Sequence, residues 1–234
     1  MIPVLYQDNH LLVVNKPAGM LVQQDETGDP DLLTVAKAYV KEMYRKPGKV
    51  YLGLVHRLDR PVSGVMVFAR TSKAAARLST QFRERTVEKR YLALVEGKRE
   101  GSGRCIDYLV KEERRVRVVP PTYAGARRAE LAWDALASQD GRSLVEVVLE
   151  TGRPHQIRIQ LAHSGFPIVG DFRYGATQEL DGRNIALHCY RLALEHPTQK
   201  QRMGWQAPPP ESWRGTFGEQ IERLLTTQPD VHPG

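Results

Sequence analysis

The sequence predicts an α+β fold: a mixed, largely antiparallel β-sheet flanked by helices and loops, in one domain over residues 1–226. Three observations predict it. Apolar residues fall at three- and four-residue spacing in a few separate stretches, while the middle of the chain alternates with period two. Helical and strand patterns are interspersed without a regular strand–helix–strand alternation. No Gly/Ser-rich linker, long repeat or low-complexity tract divides the 234 residues, apart from Pro208-Pro209-Pro210.

The elements follow in order. Pro3–Tyr6 and Leu11–Asn15 read as strands separated by the polar turn Gln7-Asp8-Asn9. Asp31 precedes a helix in which Leu32, Ala36, Tyr39, Val40 and Met43 recur at helical spacing. Val62–Ala69 is apolar enough for a buried strand. Ser72 is the candidate cap of a second helix, with Ala75, Leu78 and Phe82 on its apolar face. Tyr91, Ala93 and Val95 share one face of a strand, and Val116–Val119, Ala129–Ala137 and Leu144–Leu149 continue the strand signal. This strand-rich middle is the candidate for a subdomain. Pro154 suits the first turn of a short helix reaching about Ser164, with Gly165 as its stop. Ile185–Glu195 reads as a strand, and a last helix carries Phe217, Ile221, Leu224 and Leu225 on one face. Residues 227–234 read as a flexible tail.

Composition narrows the classes. Lys and Arg total 34 against 27 Asp and Glu, a net charge of +7. A basic chain is attracted to polyanions, of which nucleic acid is the commonest, although a solvated surface explains the charge as well. No apolar run approaches the roughly 18–20 residues of a membrane span. The N-terminus lacks the basic region and cleavage site of a signal peptide. Cys105 and Cys189 cannot form a disulfide framework or a Cys-rich zinc site, which points to a cytoplasmic setting. The phosphate-binding, dinucleotide, zinc-protease and nucleophile-elbow signatures are absent, and the seven histidines lack metal-ligand spacing. No cofactor and no metal are expected.

Two segments are chemically dense. In His56-Arg57-Leu58-Asp59-Arg60-Pro61-Val62-Ser63-Gly64, a carboxylate flanked by Arg57 and Arg60 should stay ionised, as a nucleophile or an electrostatic partner. A surface salt-bridge cluster accounts for the same composition. In Thr151-Gly152-Arg153-Pro154-His155-Gln156-Ile157-Arg158, a helix start with two arginines suits an anion such as a phosphate, and a solvated charged helix is the alternative.

Together these segments carry a specific resemblance. His56–Gly64 resembles the HRLDxxTSG motif of the RluA-type family of RNA pseudouridine synthases. Asn15-Lys16-Pro17-Ala18-Gly19 is similar to that family's early K-P-x-G segment, and Lys89–Gly97 to its K-x-Y-x-A-x-V-x-G strand. Thr151–Arg158 resembles TGRxHQ[IL]R, and Pro167–Gly175 resembles P-I-x-G-D-x-x-Y-G. The five motifs stand in the family's order from Asn15 to Gly175.

The resemblance implies the pseudouridine synthase fold and an isomerisation without cofactor or metal. A uridine is flipped out of its RNA, its C1′–N1 bond is broken, the uracil rotates, and C1′ is rejoined at C5. By the match, Asp59 is the catalytic aspartate, acting by covalent attack or through a glycal-like route. Tyr91 matches the active-site tyrosine that stacks on the flipped base, and Arg158 the arginine that pairs with the aspartate. Arg57 fills the space left by the flipped nucleotide, and His56, Arg60, Arg153 and His155 complete the expected substrate-binding set. A single placed carboxylate suits isomerisation better than the paired carboxylates of glycoside hydrolysis.

The chain departs from the family where Val62 replaces Thr, Gln160 stands where many relatives carry His, and Pro154 replaces a small polar residue. The protein is also expected to start at the catalytic domain, without the S4-type RNA-binding domain of many relatives. RNA grip is then expected from the catalytic domain, with Arg83–Arg90 and Lys111–Arg117 as candidate contacts. The expected partner is a stem-loop of ribosomal or transfer RNA, bound by a monomer with no obligatory protein partner and no membrane. The alternative function is a catalytically idle RNA-binding or RNA-folding module on the same scaffold.

Overall fold

A computed structural model describes residues 2–45, 47–113, 115–182 and 184–227, the side chain of residue 214 apart. In chain order the elements are β1 (Val4–Gln7), β2 (Leu11–Lys16), α1 (Leu32–Met43), β3 (Gly53–Leu54), β4 (Ser63–Ala69), α2 (Ser72–Glu84), β5 (Glu88–Glu96), β6 (Ser102–Glu112), β7 (Arg115–Val119) and β8 (Arg127–Gln139). Then come β9 (Arg142–Leu149), α3 (Gln156–His163), β10 (Leu187–Glu195), β11 (Arg202–Gln206) and α4 (Arg214–Thr227), with 3₁₀ turns at Phe172–Tyr174 and Glu211–Trp213. The class is α+β, as the sequence predicts. The chain divides into two compact units, one drawn from Met1–Glu88, Cys189–Pro209 and Leu225–Gly234, the other from Lys89–His188 and Pro210–Leu224.

In the first unit the strand order is β1-β2-β4-β10, with β3 also on β4 and β11 on β10. β2 runs antiparallel to β4 from Leu11↔Ala69 to Lys16↔Gly64. Leu11 and Val13 of β2 and Val65 and Val67 of β4 share one core with Ala74 and Leu78 of α2 and Trp205 of β11. Thr71, not Ser72, caps α2: its backbone is extended, and its hydroxyl accepts the Ala74 amide. The cap therefore lies one residue earlier than the sequence suggests. The polar turn after β1 is secured by Asp8, whose Oδ1 accepts the His10 and Leu11 amides at 2.7 and 2.6 Å. Its Oδ2 lies 2.8 Å from Nε2 of the buried His196. Because His196 Nδ1 accepts the Gln199 amide, the proton sits on Nε2 and points at the carboxylate.

In the second unit the order is β5-β9-β8-β6-β7, and each of these pairings is antiparallel. It contains the strand-rich middle that the sequence singled out. β6 was not anticipated: Cys105 and Leu109 are buried on one face while Ile106, Tyr108 and Val110 sit on the other, so no polar–apolar contrast marks a period of two. β3, of two residues, is too short for a periodic signal. Ile159 of α3 packs against Leu109, Val116 and Ala129. Gln160, the departure from the family's histidine, is buried and donates to Asp107 Oδ2 at 2.7 Å, tying α3 to β6. α3 starts at Gln156, later than Pro154 suggests, because His155 adopts a left-handed conformation (φ 51°) that no α-helix contains. α4 runs through Thr227, so residue 227 is helical and not part of a tail; 228–234 lie outside the described residues.

Candidate active site

The sequence-predicted residues fall into two groups. Asp59 lies in the first unit, in the loop between β3 and β4, with His56, Arg57 and Arg60. Tyr91, Arg153, His155 and Arg158 lie in the second.

The loop around Asp59 is held through its backbone. At the end of β2 the Lys16 ammonium donates to three carbonyls, those of Pro17 at 3.0 Å, Arg60 at 3.1 Å and Val62 at 2.6 Å. Two of these flank Asp59 on its C-terminal side, and the Val62 amide returns to the Asp59 carbonyl at 3.1 Å. Lys16 is fully buried. Burial pushes its ammonium down to about 7, against the attraction of the Asp59 carboxylate and with a further push from Arg60. A charged ammonium has three N–H donors for three carbonyls, so the site satisfies the protonated form completely.

Gly64 closes the loop onto β4 with φ +128°, a region that favours glycine. A Cβ there would lie 2.7 Å from Cys189 Cα and closer still to the Cys189 amide nitrogen and carbonyl oxygen. The glycine that ends this motif is thus required by packing.

His56 accepts the Val67 amide of β4 on Nε2 at 3.0 Å and stacks on Phe82 of α2, with ring centroids 4.7 Å apart and planes 17° apart. Its imidazole takes over where β3 ends, supplying an acceptor in place of a strand carbonyl. Arg60 donates through Nε to the Gly19 carbonyl at 3.0 Å and through Nη2 to Asp29 at 2.6 Å, while its own carbonyl accepts the Gly19 amide. Its guanidinium is therefore committed to the 19–29 segment, a contact that adjacency to Asp59 in sequence does not reveal. Arg57 is exposed and Asp59 half-buried.

In the second unit the Thr151–Arg158 segment is braced by Gln156. Its Oε1 accepts the Thr151 hydroxyl at 2.8 Å and the Arg153 amide at 2.9 Å, and its Nε2 donates to the Glu130 carbonyl at 3.0 Å. Thr151 Oγ1 in turn accepts the Glu130 amide. This side chain braces the turn that leads into α3, where His155 makes no capping bond of its own. Arg153 Nε donates to the Arg128 carbonyl, and His155 Nδ1 lies 2.7 Å from the Tyr174 hydroxyl. Tyr91 is buried on β5, opposite Val147 of β9.

Arg158 is buried too. Its Nε and Nη2 donate to Asp171 Oδ2 and Oδ1 at 2.7 and 2.8 Å, and its guanidinium carbon stands 5.2 Å from the Tyr174 ring centre. Lys16, Gln156, Asp171 and Tyr174 were not among the expected site residues. Each stands inside one of the quoted motifs, which was the available signal. The candidate contact segments are also bonded locally: Arg90 pairs with Glu146, and Arg117 with Glu112 across the β6–β7 hairpin. Among the described residues no group of three or more His, Cys, Asp or Glu side chains is placed to hold a metal ion.

The profile of the family described as RNA pseudouridylate synthase matches residues 10–163. The chain belongs to the RNA pseudouridylate synthase family. It is 34% identical over 234 residues to a tRNA pseudouridine synthase C of Haemophilus influenzae, covering 92% of this chain and 95% of that protein. It is 35% identical over 229 residues to a ribosomal large subunit pseudouridine synthase C of Vibrio vulnificus, covering 95% of this chain and 68% of that one. Human RNA pseudouridylate synthase domain containing 4 superposes with a TM-score of 0.75 at 25% identity, over 99% of this chain and 95% of that structure. The pseudouridine synthase fold and an isomerase activity on RNA uridine are thereby established, in agreement with the RluA-type motifs. No helix among the described residues is long and apolar enough to cross a membrane.

Proposed function

We infer that Asp59, Tyr91 and Arg158 carry the isomerisation, and that the substrate is a uridine in a stem-loop of transfer or ribosomal RNA. The observation that carries this reading is the loop of Asp59: one carboxylate on a backbone pinned by the Lys16 ammonium and closed by Gly64. Preorganised backbone is what a reacting carboxylate needs, since its geometry must be set before the base arrives. The flipped uridine presents C1′ to Asp59, which attacks it or assists proton removal from the ribose. Tyr91 offers a ring to stack on the base and a phenol to accept a proton. When C1′ rejoins at C5, C5 loses its hydrogen and N1 gains one, so the reaction balances without water or cofactor.

Arg57, exposed beside Asp59, fills the gap in the RNA, and Arg153 contacts a phosphate near the start of α3. The bonds of His56, Arg60 and His155 support a shaping role for these three, which form the walls against which RNA rests. The protein works as a cytoplasmic monomer. Relatives named for tRNA and for ribosomal RNA stand at nearly equal identity, so identity does not choose between the two.

Two experiments test the reading. Wild-type protein incubated with RNA from cells lacking the gene is expected to form pseudouridine at a defined position, and Asp59→Asn none. Pseudouridine from Asp59→Asn at the wild-type rate would remove Asp59 from its role. Mapping the position identifies the RNA. Binding with a steep salt dependence but no product would favour the idle RNA-binding module.

A further inference from the structure

Among the described ion pairs of the second unit, the one most shielded from water joins Arg158 to a residue without an assigned part in the reaction. The Arg158 side chain is 6% exposed and that of Asp171 1%, so neither charge has water to turn to. Burying a charge is costly unless it is paired and hydrogen-bonded. Here the pairing is a side-on fork: Asp171 takes Nε and Nη2 of the guanidinium at 2.7 and 2.8 Å, which fixes the plane of the group and its rotation within that plane. The Tyr174 ring stands 5.2 Å from the guanidinium carbon as a further support.

The carboxylate itself is rigidly mounted. The Asp171 amide donates to the Ile168 carbonyl at 2.9 Å, and its own carbonyl accepts the amides of Tyr174 at 2.9 Å and Ala176 at 3.2 Å. Gly170, with φ +84°, lets the turn pass so close to Asn184 that a Cβ would lie 2.5 Å from the Asn184 carbonyl. The turn is thus locked from both sides. Of the five N–H donors of a guanidinium, this fork uses one on Nε and one on Nη2, and it turns the Nη1 end away from Asp171.

We propose that Asp171 is a positioning residue for the isomerisation: through its fork it orients the Arg158 guanidinium and so decides which edge of that group serves the reaction. The inference rests on the reading of Arg158 as the active-site arginine. Asp171 touches neither base nor ribose; it acts only through Arg158. An amide at this position keeps the shape but opposes N–H to N–H on one arm of the fork. Glutamate keeps the charge but moves the carboxylate by one methylene.

The test compares steady-state pseudouridine formation by wild type, Asp171→Asn, Asp171→Glu, Arg158→Lys and the double variant Asp171→Asn/Arg158→Lys, with a melting curve for each. Asp171→Asn is expected to lower kcat by about 100-fold, the loss typical of a displaced reacting geometry, while KM changes less than about 3-fold. The double variant is expected to be no slower than the worse single one, because both changes disturb the same guanidinium. Fold losses that multiply in the double variant, or an Asp171→Asn kcat within about 3-fold of wild type, overturn the proposal. Should Asp171→Asn fail to fold, Asp171→Glu decides: reduced kcat in a folded protein supports the role, and unchanged kcat overturns it. An Arg158→Lys enzyme as fast as wild type overturns the proposal by removing the reading beneath it. A wild type that forms no pseudouridine on any RNA fails one step earlier and is told apart by that control.

Discussion

The loop around Asp59 and the turn around Arg158 are both tightly held, but by opposite means. In the first the bonds run to the backbone: an ammonium on three carbonyls and a glycine where no side chain fits. In the second the functional side chain itself is gripped, by a buried carboxylate and a neighbouring ring. The difference follows from the groups. An ammonium gathers carbonyls, so the loop of Asp59 is fixed through its backbone. A guanidinium presents parallel N–H donors to a carboxylate, so Arg158 is fixed through its side chain. Backbone anchoring and side-chain anchoring should therefore respond differently to substitution.

The largest effect is expected at Gly64. A methyl group there meets the Cys189 backbone at a positive φ, so Gly64→Ala should lose about 4 kcal/mol or more, measured by chemical denaturation. A loss under about 1 kcal/mol would break the view that this end of the loop is sterically determined.

Next comes Lys16→Met, which leaves three carbonyls without their donor and loosens the backbone of Asp59. A kcat lower by about 100-fold is expected, with a smaller change in KM. The same lysine carries a pH signature. Its ordinary value of 10.5 is depressed, so the proton it holds below about 7 is released as pH rises. The neutral amine has two N–H donors for three carbonyls, and wild-type kcat should decline above about pH 7. In Lys16→Met that limb should vanish. A decline that persists unchanged in the variant would assign it to another group.

The smallest effect is expected at Gln156, which braces the turn before Arg158 without touching the guanidinium. Gln156→Ala removes bonds to Thr151, Arg153 and Glu130 and should cost about 2 kcal/mol in a thermal melt. Because the Asp171 fork remains, kcat should fall less than about 10-fold, well short of the losses at Lys16 and Asp171. A larger fall would mean that Arg158 is positioned by its backbone after all.

Much of the site was legible because it is written locally. Asp59, Arg57, Tyr91 and Arg158 stand in contiguous motifs, and the strands at 11–15, 62–69 and 91–95 carry apolar patterns long enough to read. What failed to show did so for stated reasons. β6 mixes apolar and polar residues on both faces, so its period was hidden, and the left-handed His155 delayed α3 past the proline that should have opened it. Arg60 adjoins Asp59 in sequence, and only the structure shows that its guanidinium also bonds to Gly19 and Asp29, 41 and 31 residues away in the chain.

By itself the sequence determined the α+β class, the basic surface and the order of five motifs that assign the family. These are properties of composition and local spacing, which need no neighbour from elsewhere in the chain. Only the tertiary structure decided which residues support the candidate site. Lys16 lies 44 and 46 residues from the Arg60 and Val62 carbonyls that it holds, and Asp171 lies 13 residues from Arg158. Such pairings form because burial removes water from a charge and leaves it only the partner that the fold brings near.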